Sequence, residues 1–532
     1  MMQNLISLFY NNCLRALKYI LMLLILLCFL SACFFTTYIN DMGTQIMLTG
    51  ADNLPITLLT LLPTLAMLWW LQKKQLLSTK ILLPLTLLWY VIGGSILIIF
   101  SRSVPAADPM TVYSIANAFA DGNLAAIHPT DSYLSYYPHQ IGLIAYYEIL
   151  LRIWNLLPIH LDGYHLIKLL NVFWACLFIF FQHLILKQLF HKEQINITYL
   201  LLMLMNLPLL IYTSFVYGEI PSLTFFHIGV WAILRSMYVL NQPADKKRNK
   251  KYLLYTLLSY LCLICCIMLR KNAMILIIAV IGVTFIEALK QKKTMLWINI
   301  PVYLLIMLLT LPCVQQFYET RANNHLSSGV TALSYFAMGM QESARGEGWY
   351  NGFNFNTYES SGFDTALANR ISLESIRERL GYFQENPSQL LRFYKNKFRT
   401  QWCDGTYACL QATVNNFGGR STFFHKLYNG DYDFLLLPFC NLLQNILYLG
   451  SLLFIIIQLK NKDTESTFHG FYLYLPMIGV LGGFLFHMIW EANSRYIFPY
   501  ALMLYPYAAH GISEFPWSLK SFHHKKKDSG KN

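Results

Sequence analysis

Charged side chains are scarce in this 532-residue sequence, and a few of them stand where long apolar runs begin or end. Asp108 and Glu219 are carboxylates of this kind, Arg270 and Lys271 form a basic pair, and Glu491 and Arg495 share one short connection. Ionisable groups near lipid are costly to keep, which makes them functional candidates. A fixed carboxylate can take the proton of an attacking hydroxyl. Guanidinium and ammonium groups can stabilise an anion as it departs into a site of low dielectric. Together these types suit acid–base chemistry beside a bound anion.

Each group also has a plainer reading. Asp108-Pro109 opens a stretch that ends at Gly122 and reads as a helix with Asp108 as its N-cap. Glu219, followed by Pro221, suits the first turn of a helix, where the helix dipole favours an acid. Arg270, Lys271 and Arg495 suit helix ends from which long side chains snorkel to the interface. Capping and catalysis do not exclude one another, since a cap fixes the direction of a carboxylate.

Other candidates are aromatic or neutral. The stretch Tyr133 to Gly142 holds Tyr136, Tyr137, Pro138, His139 and Gln140; its aromatic residues suit an interfacial belt, and His139 is either a neutral interfacial histidine or a donor to a phosphate or sugar hydroxyl. Trp349 and Tyr350, amid Gly346, Gly348 and Gly352, offer ring faces to a sugar or pack their own loop. Asn386-Pro387 to Trp402 reads as a helix lying on the membrane surface, with Arg392, Lys395 and Arg399 along one side. Of these, Lys395 is the candidate for a lipid phosphate. No metal-ligand spacing appears, and Asp108 with Glu219 make no full ligand set, so no cofactor is expected and a divalent cation is not indicated.

The elements that must position these residues are set by composition. With 56% hydrophobic and 13% charged residues and a mean hydropathy of +0.42, the chain cannot coat a water-soluble globule of this size. Apolar runs of about 20 residues, each able to cross a bilayer, predict transmembrane helices near 19–38, 55–72, 80–101, 165–188, 195–215, 220–240, 252–269, 273–289, 295–313, 434–458, 469–488 and 496–513. The first is read as an uncleaved anchor, because it exceeds a signal core and more spans follow.

Lysine and arginine near span ends mark the cytoplasmic side. Arg15 and Lys18, Lys73, Lys74 and Lys80, the run 246–251, Lys290, Lys292 and Lys293, Lys460 and Lys462, and Lys525, Lys526 and Lys527 share one side only if 140–156 does not cross. That segment is therefore read as an in-plane or re-entrant helix, with both termini cytoplasmic. The net charge of +13 belongs to these loops and to anionic lipid headgroups, with no basic module for nucleic acid. The expected organisation is an N-terminal hairpin 1–79, a core 80–313 with a first outer loop 102–165, a large outer loop 314–433, C-terminal spans 434–513 and a basic tail 514–532. Eleven cysteines lie mostly within spans, and whether Cys403 and Cys409 are bridged is left open.

An N-terminal helix, an outer aspartate before a helix, and an aromatic-proline stretch leading to an in-plane helix resemble the GT-C superfamily of membrane glycosyltransferases. The likeness is to the protein O-mannosyltransferase and lipid A aminoarabinose transferase branch and its cell-envelope members. It runs from about Tyr90 to Gly511, with an extra hairpin ahead of the usual start. Tyr217-Gly-Glu219-Ile-Pro221 resembles the second acidic motif of that family. Tyr335 to Asn351, Lys395 to Thr406 and Trp490 to Tyr496 are similar to motifs of its Gram-positive branch.

The resemblance implies an all-α bundle of about twelve membrane helices with in-plane helices and a large outer loop. It implies a multi-pass cell-membrane enzyme with an extracytoplasmic site, moving sugar from a polyprenyl phosphate to a cell-envelope glycan or protein. Asp108 would be the base, with Glu219 beside it; Arg270, Lys271, Arg495 and Lys395 would hold the lipid phosphate. Tyr137, His139, Gln140, Trp349, Tyr350 and Glu491 would meet sugar and acceptor. A polysaccharide polymerase or ligase, or a transporter or flippase of lipid-linked sugars, are the rival readings; a carrier usually shows two similar halves, and the loop 314–433 has no counterpart.

Overall fold

The chain builds helices because no water is present at membrane depth to satisfy backbone amides and carbonyls. In the computed structural model, residues 2–39, 45–52, 54–73, 77–104, 106–158, 161–243, 245–413, 421–460 and 470–528 are described, without the side chains of Met2, Gln72, Lys73 and 516–528. Lys74 and Lys462 of the expected cytoplasmic lysines lie outside the described residues, as do the side chains of Lys73, Lys525, Lys526 and Lys527.

The order is α1 Met2–Phe34, β1 Phe35–Ile39, β2 Met47–Ala51, α2 Leu54–Lys73, α3 Thr79–Ser101, α4 Ala107–Ala120, α5 Tyr133–Tyr136, α6 Ile141–Asn155, α7 Gly163–Phe190, α8 Glu193–Leu204, α9 Leu207–Tyr212 and α10 Glu219–Leu240. It continues with α11 Lys246–Leu269, α12 Met274–Gln291, α13 Thr294–Ala322, α14 Ala332–Gly339, α15 Phe353–Ser360, α16 Thr365–Glu385, α17 Pro387–Trp402, α18 Cys409–Thr413, α19 Thr422–Tyr428, α20 Asp433–Lys460, α21 Leu475–Ile489 and α22 Ser494–Asp528. The chain is an all-α polytopic membrane protein: ten described helices are long and apolar enough to cross a bilayer.

Two of the twelve expected spans, 195–215 and 496–513, are not among these ten. The run 195–215 breaks into α8 and α9, because Pro208 has no amide to donate and the Asn206 side chain caps Leu209 N at 3.0 Å. Tyr90 repairs the break by donating to the Met203 and Asn206 carbonyls at 3.0 and 3.2 Å. α22 is too rich in tyrosine and proline to read as a lipid-facing helix. Its described residues are nearly all buried, packed between α20, α21 and α8.

The expected first span is corrected at both ends. α1 begins at Met2 and stops at Phe34, and residues 35–38 belong to β1, which pairs antiparallel with β2 in the register Phe35 to Ala51 through Ile39 to Met47. The β-branched and aromatic run Phe-Thr-Thr-Tyr-Ile fits a strand better than a helix end. The hairpin is docked by Thr37 N to the Cys403 carbonyl (2.9 Å) and Met47 N to the Arg345 carbonyl (2.9 Å).

The in-plane segment forms α6, whose 15 residues are too few to cross. It packs on α4, α11 and α13. Glu148 pins it, accepting from Arg152 Nε at 2.8 Å and Arg321 Nη1 at 3.1 Å, and from the Tyr318 hydroxyl. In the large loop, α14, α16 and α17 share a small core of Ala337, Met340, Ile376, Phe383 and Phe393. Cys403 and Cys409 are buried free thiols.

Candidate active site

Asp108 is not an N-cap. Ala106 holds that position without a side-chain bond, and Asp108 sits in the first turn of α4 just after Ala107, whose φ of 48° is unusual for a residue with a Cβ. The carboxylate is thereby left for another partner: it accepts from the Tyr217 hydroxyl at 3.2 Å. Tyr217 in turn accepts from Gln140 Nε2 at 2.7 Å and lies 3.5 Å from the Tyr133 hydroxyl. Burial first, then the neighbouring Asp108, pushes the Tyr217 phenol far up, so it stays a proton donor. Gln140, expected to face a ligand, is buried and holds Tyr217.

Gly218 turns the chain at φ 85° directly after Tyr217 and delivers Glu219 to the head of α10, in the first-turn position the sequence allowed. A side chain on Gly218 would strike Leu143 at 2.8 Å, so the turn is held tight against α6. Glu219 pairs with Arg270 at 3.2 Å, although neither of its buried oxygens makes a hydrogen bond in the described structure. Arg270 also donates to the Tyr217 carbonyl at 3.3 Å and lies 4.6 Å over the Tyr217 ring. Arg495 enters from the head of α22, donates to the Tyr496 hydroxyl at 3.3 Å, and leaves its buried Nε without a hydrogen bond. Glu219, Arg270 and Arg495 line one cavity with Ser222, Tyr496 and Tyr500.

Several tyrosines gather near Asp108 and Glu491. Tyr137, Tyr350 and Tyr496 each feel both Asp108 and Glu491, and Tyr335 feels Glu491. Glu491 is buried, and burial, helped by Asp108 and opposed by Arg495, Tyr496 and Arg345, pushes its carboxyl up to about 7. Trp490 stacks on Tyr335 with ring centroids 5.1 Å apart.

The remaining candidates are less central. Burial, then Lys271 and Arg270, lowers His139 to about 3, leaving it neutral. Lys271 is exposed beside this histidine, and Trp349 is buried, with Arg345 5.9 Å from its ring. Lys395 is exposed and is not brought to the cavity. Along α17, Leu391 is exposed, whereas Phe393, Lys397 and Gln401, four residues apart, are buried in the protein.

No family model and no curated protein matches the sequence. Among the solved structures it resembles are archaeal oligosaccharyltransferases. One is AglB from Archaeoglobus fulgidus in complex with an inhibitory peptide and a dolichol-phosphate, at 12% identity and a TM-score of 0.41, over 84% of this chain and 52% of that one. Another is the apo form of the Archaeoglobus fulgidus oligosaccharyltransferase, at 11% identity and a TM-score of 0.41, over 83% and 52%. The chain thus spans about half the length of the structures it matches.

Tyr217, Tyr335, Arg345, Tyr496 and Lys397 were given no role from the sequence. Tyr217 had the clearest signal, standing two residues before a candidate carboxylate with a glycine between them.

Proposed function

We propose that the chain is a GT-C-type glycosyltransferase that moves a sugar from a polyprenyl phosphate to a cell-envelope acceptor on the extracytoplasmic face, with inversion and with both termini in the cytoplasm. The observation that carries this reading is one cavity lined by Glu219, Arg270 and Arg495, with Tyr217 bonded both to Arg270 and to Asp108. Two guanidiniums against one carboxylate leave one positive charge in excess, which suits a phosphodiester with a single negative charge. The unsatisfied Arg495 Nε adds a donor for its oxygens.

In this scheme the acceptor hydroxyl gives its proton to Asp108 as its oxygen bonds to the anomeric carbon. The bond from that carbon to the phosphate oxygen breaks on the opposite side, and the polyprenyl phosphate leaves with the electron pair. Arg270 and Arg495 meet the charge that develops there. Gln140 and Tyr217 hold the carboxylate in line, so its orientation is settled before substrate arrives. Tyr137, Tyr335, Tyr350 and Glu491 line the space for sugar and acceptor.

Deleting the gene and comparing the sugars of the cell-envelope polymers tests this. A side branch that disappears, and returns with the intact gene, is expected; unchanged polymers in a strain that normally expresses the protein would overturn the proposal.

A further inference from the structure

Lys397 is fully buried, yet it makes no ion pair among the described residues. Its ammonium donates instead to two main-chain carbonyls, that of Gly339 and, at 2.7 Å, that of Trp490. Gly339 is the last residue of α14, and Trp490 is the C-cap of α21. Helix ends leave carbonyls unsatisfied and carry partial negative charge, so one cation placed between two such ends is stabilised by both. The arrangement accounts for how a lysine is kept where burial disfavours its charge.

The surroundings are built for this side chain. A Cβ on Gly348, at φ 72°, would come within 2.8 Å of the lysine Cε, so only glycine leaves the passage open. Gly348 also gives its carbonyl to Ala492 N at 2.9 Å. One turn along α17, Gln401 donates to the His487 carbonyl at 3.3 Å, and His487 Nδ1 lies 3.2 Å from the Glu491 carbonyl. The turn 490–493 is thus held from α17, from the loop after α14 and from the end of α21.

We propose that Lys397 is a positioning residue: by joining the ends of α14 and α21 it fixes the turn that presents Glu491 to Asp108 and starts α22 with Arg495. The inference rests on the proposed use of this turn by the site, but its test does not require transfer to be observed. The full chain in lipid nanodiscs, as wild type and as Lys397→Met, is compared by hydrogen exchange over residues 486–496 and by the pH dependence of thermal stability with and without Glu491→Gln. Lys397→Met is expected to speed exchange in the turn about tenfold and to abolish the pH-dependent difference that Glu491 makes, because a loosened turn lets water reach its carboxyl.

Unchanged exchange together with an unchanged Glu491 signature would overturn the proposal. If Lys397→Met does not fold, Lys397→Gln, which keeps a donor for one carbonyl, carries the same comparison with the same two outcomes. A folded wild type that transfers no sugar would remove the reaction proposed above and leave this result standing.

Discussion

Tyr217 gives Asp108 its direction, and its hydroxyl is the only part of it that touches the carboxylate. Tyr217→Phe keeps the ring beneath Arg270 and removes two hydrogen bonds, the one given to Asp108 and the one taken from Gln140, each worth roughly 0.5–1.5 kcal/mol. Under the proposed transfer this lowers kcat about tenfold with donor KM unchanged, measurable with membranes and labelled lipid-linked sugar. Glu491 makes a separate prediction. Its carboxyl is raised from 4.5 to about 7, so the folded protein binds that proton more tightly than the unfolded chain. The stabilisation is complete below the unfolded pKa and is lost as pH rises towards 7, an upper bound on the order of 3 kcal/mol. Thermal unfolding of wild type relative to Glu491→Gln is expected to fall between pH 5 and pH 8. At this scale residue types were legible: rare charges beside apolar runs pointed to Asp108, Glu219, Arg270, Arg495 and Glu491, which the fold brings together at one end of the bundle. Partners were not legible, because the bond from Tyr217 to Asp108 spans 109 residues and depends on how α4, α6 and α10 meet.

α6 shows how an element sets the site. Gly142, in its first turn, lies against the end of α11 so closely that a Cβ there would be 2.3 Å from the Met268 carbonyl. Gly142→Ala is expected to push α6 off α11, lowering stability by about 1–3 kcal/mol and weakening donor binding several-fold through Arg270, two residues after Met268. Thermal unfolding and donor KM check the two effects. That 140–156 forms no spanning helix was legible because one extra crossing would have scattered the basic residues over both sides. The break between α8 and α9 was not, since Asn206 and Pro208 stand inside an apolar run long enough to span. The strand β1 was likewise hidden at the end of an apolar run. In α17 the exposed Lys395 looked more available than Lys397, which stands two residues on and is turned into the protein by contacts far apart in sequence.

For the whole molecule, low charge content and repeated apolar runs made the polytopic helical class legible without any motif. What they left open is where α14 to α17 pack, because these helices owe their places to contacts far apart in sequence, such as Lys397 with Trp490. The central claim joins the two scales: a carboxylate on α4 and two cations on α11 and α22 act on one lipid-borne phosphosugar. The direct measurement is transfer of labelled sugar from polyprenyl phosphate into envelope polymer by membranes of a deletion strain carrying either the wild-type gene or Asp108→Asn. Asp108→Asn protein present at the wild-type level, but with transfer reduced to that of the deletion strain, is the expected result. Wild-type rates from the Asn variant, or transfer that does not depend on the chain at all, would contradict the account.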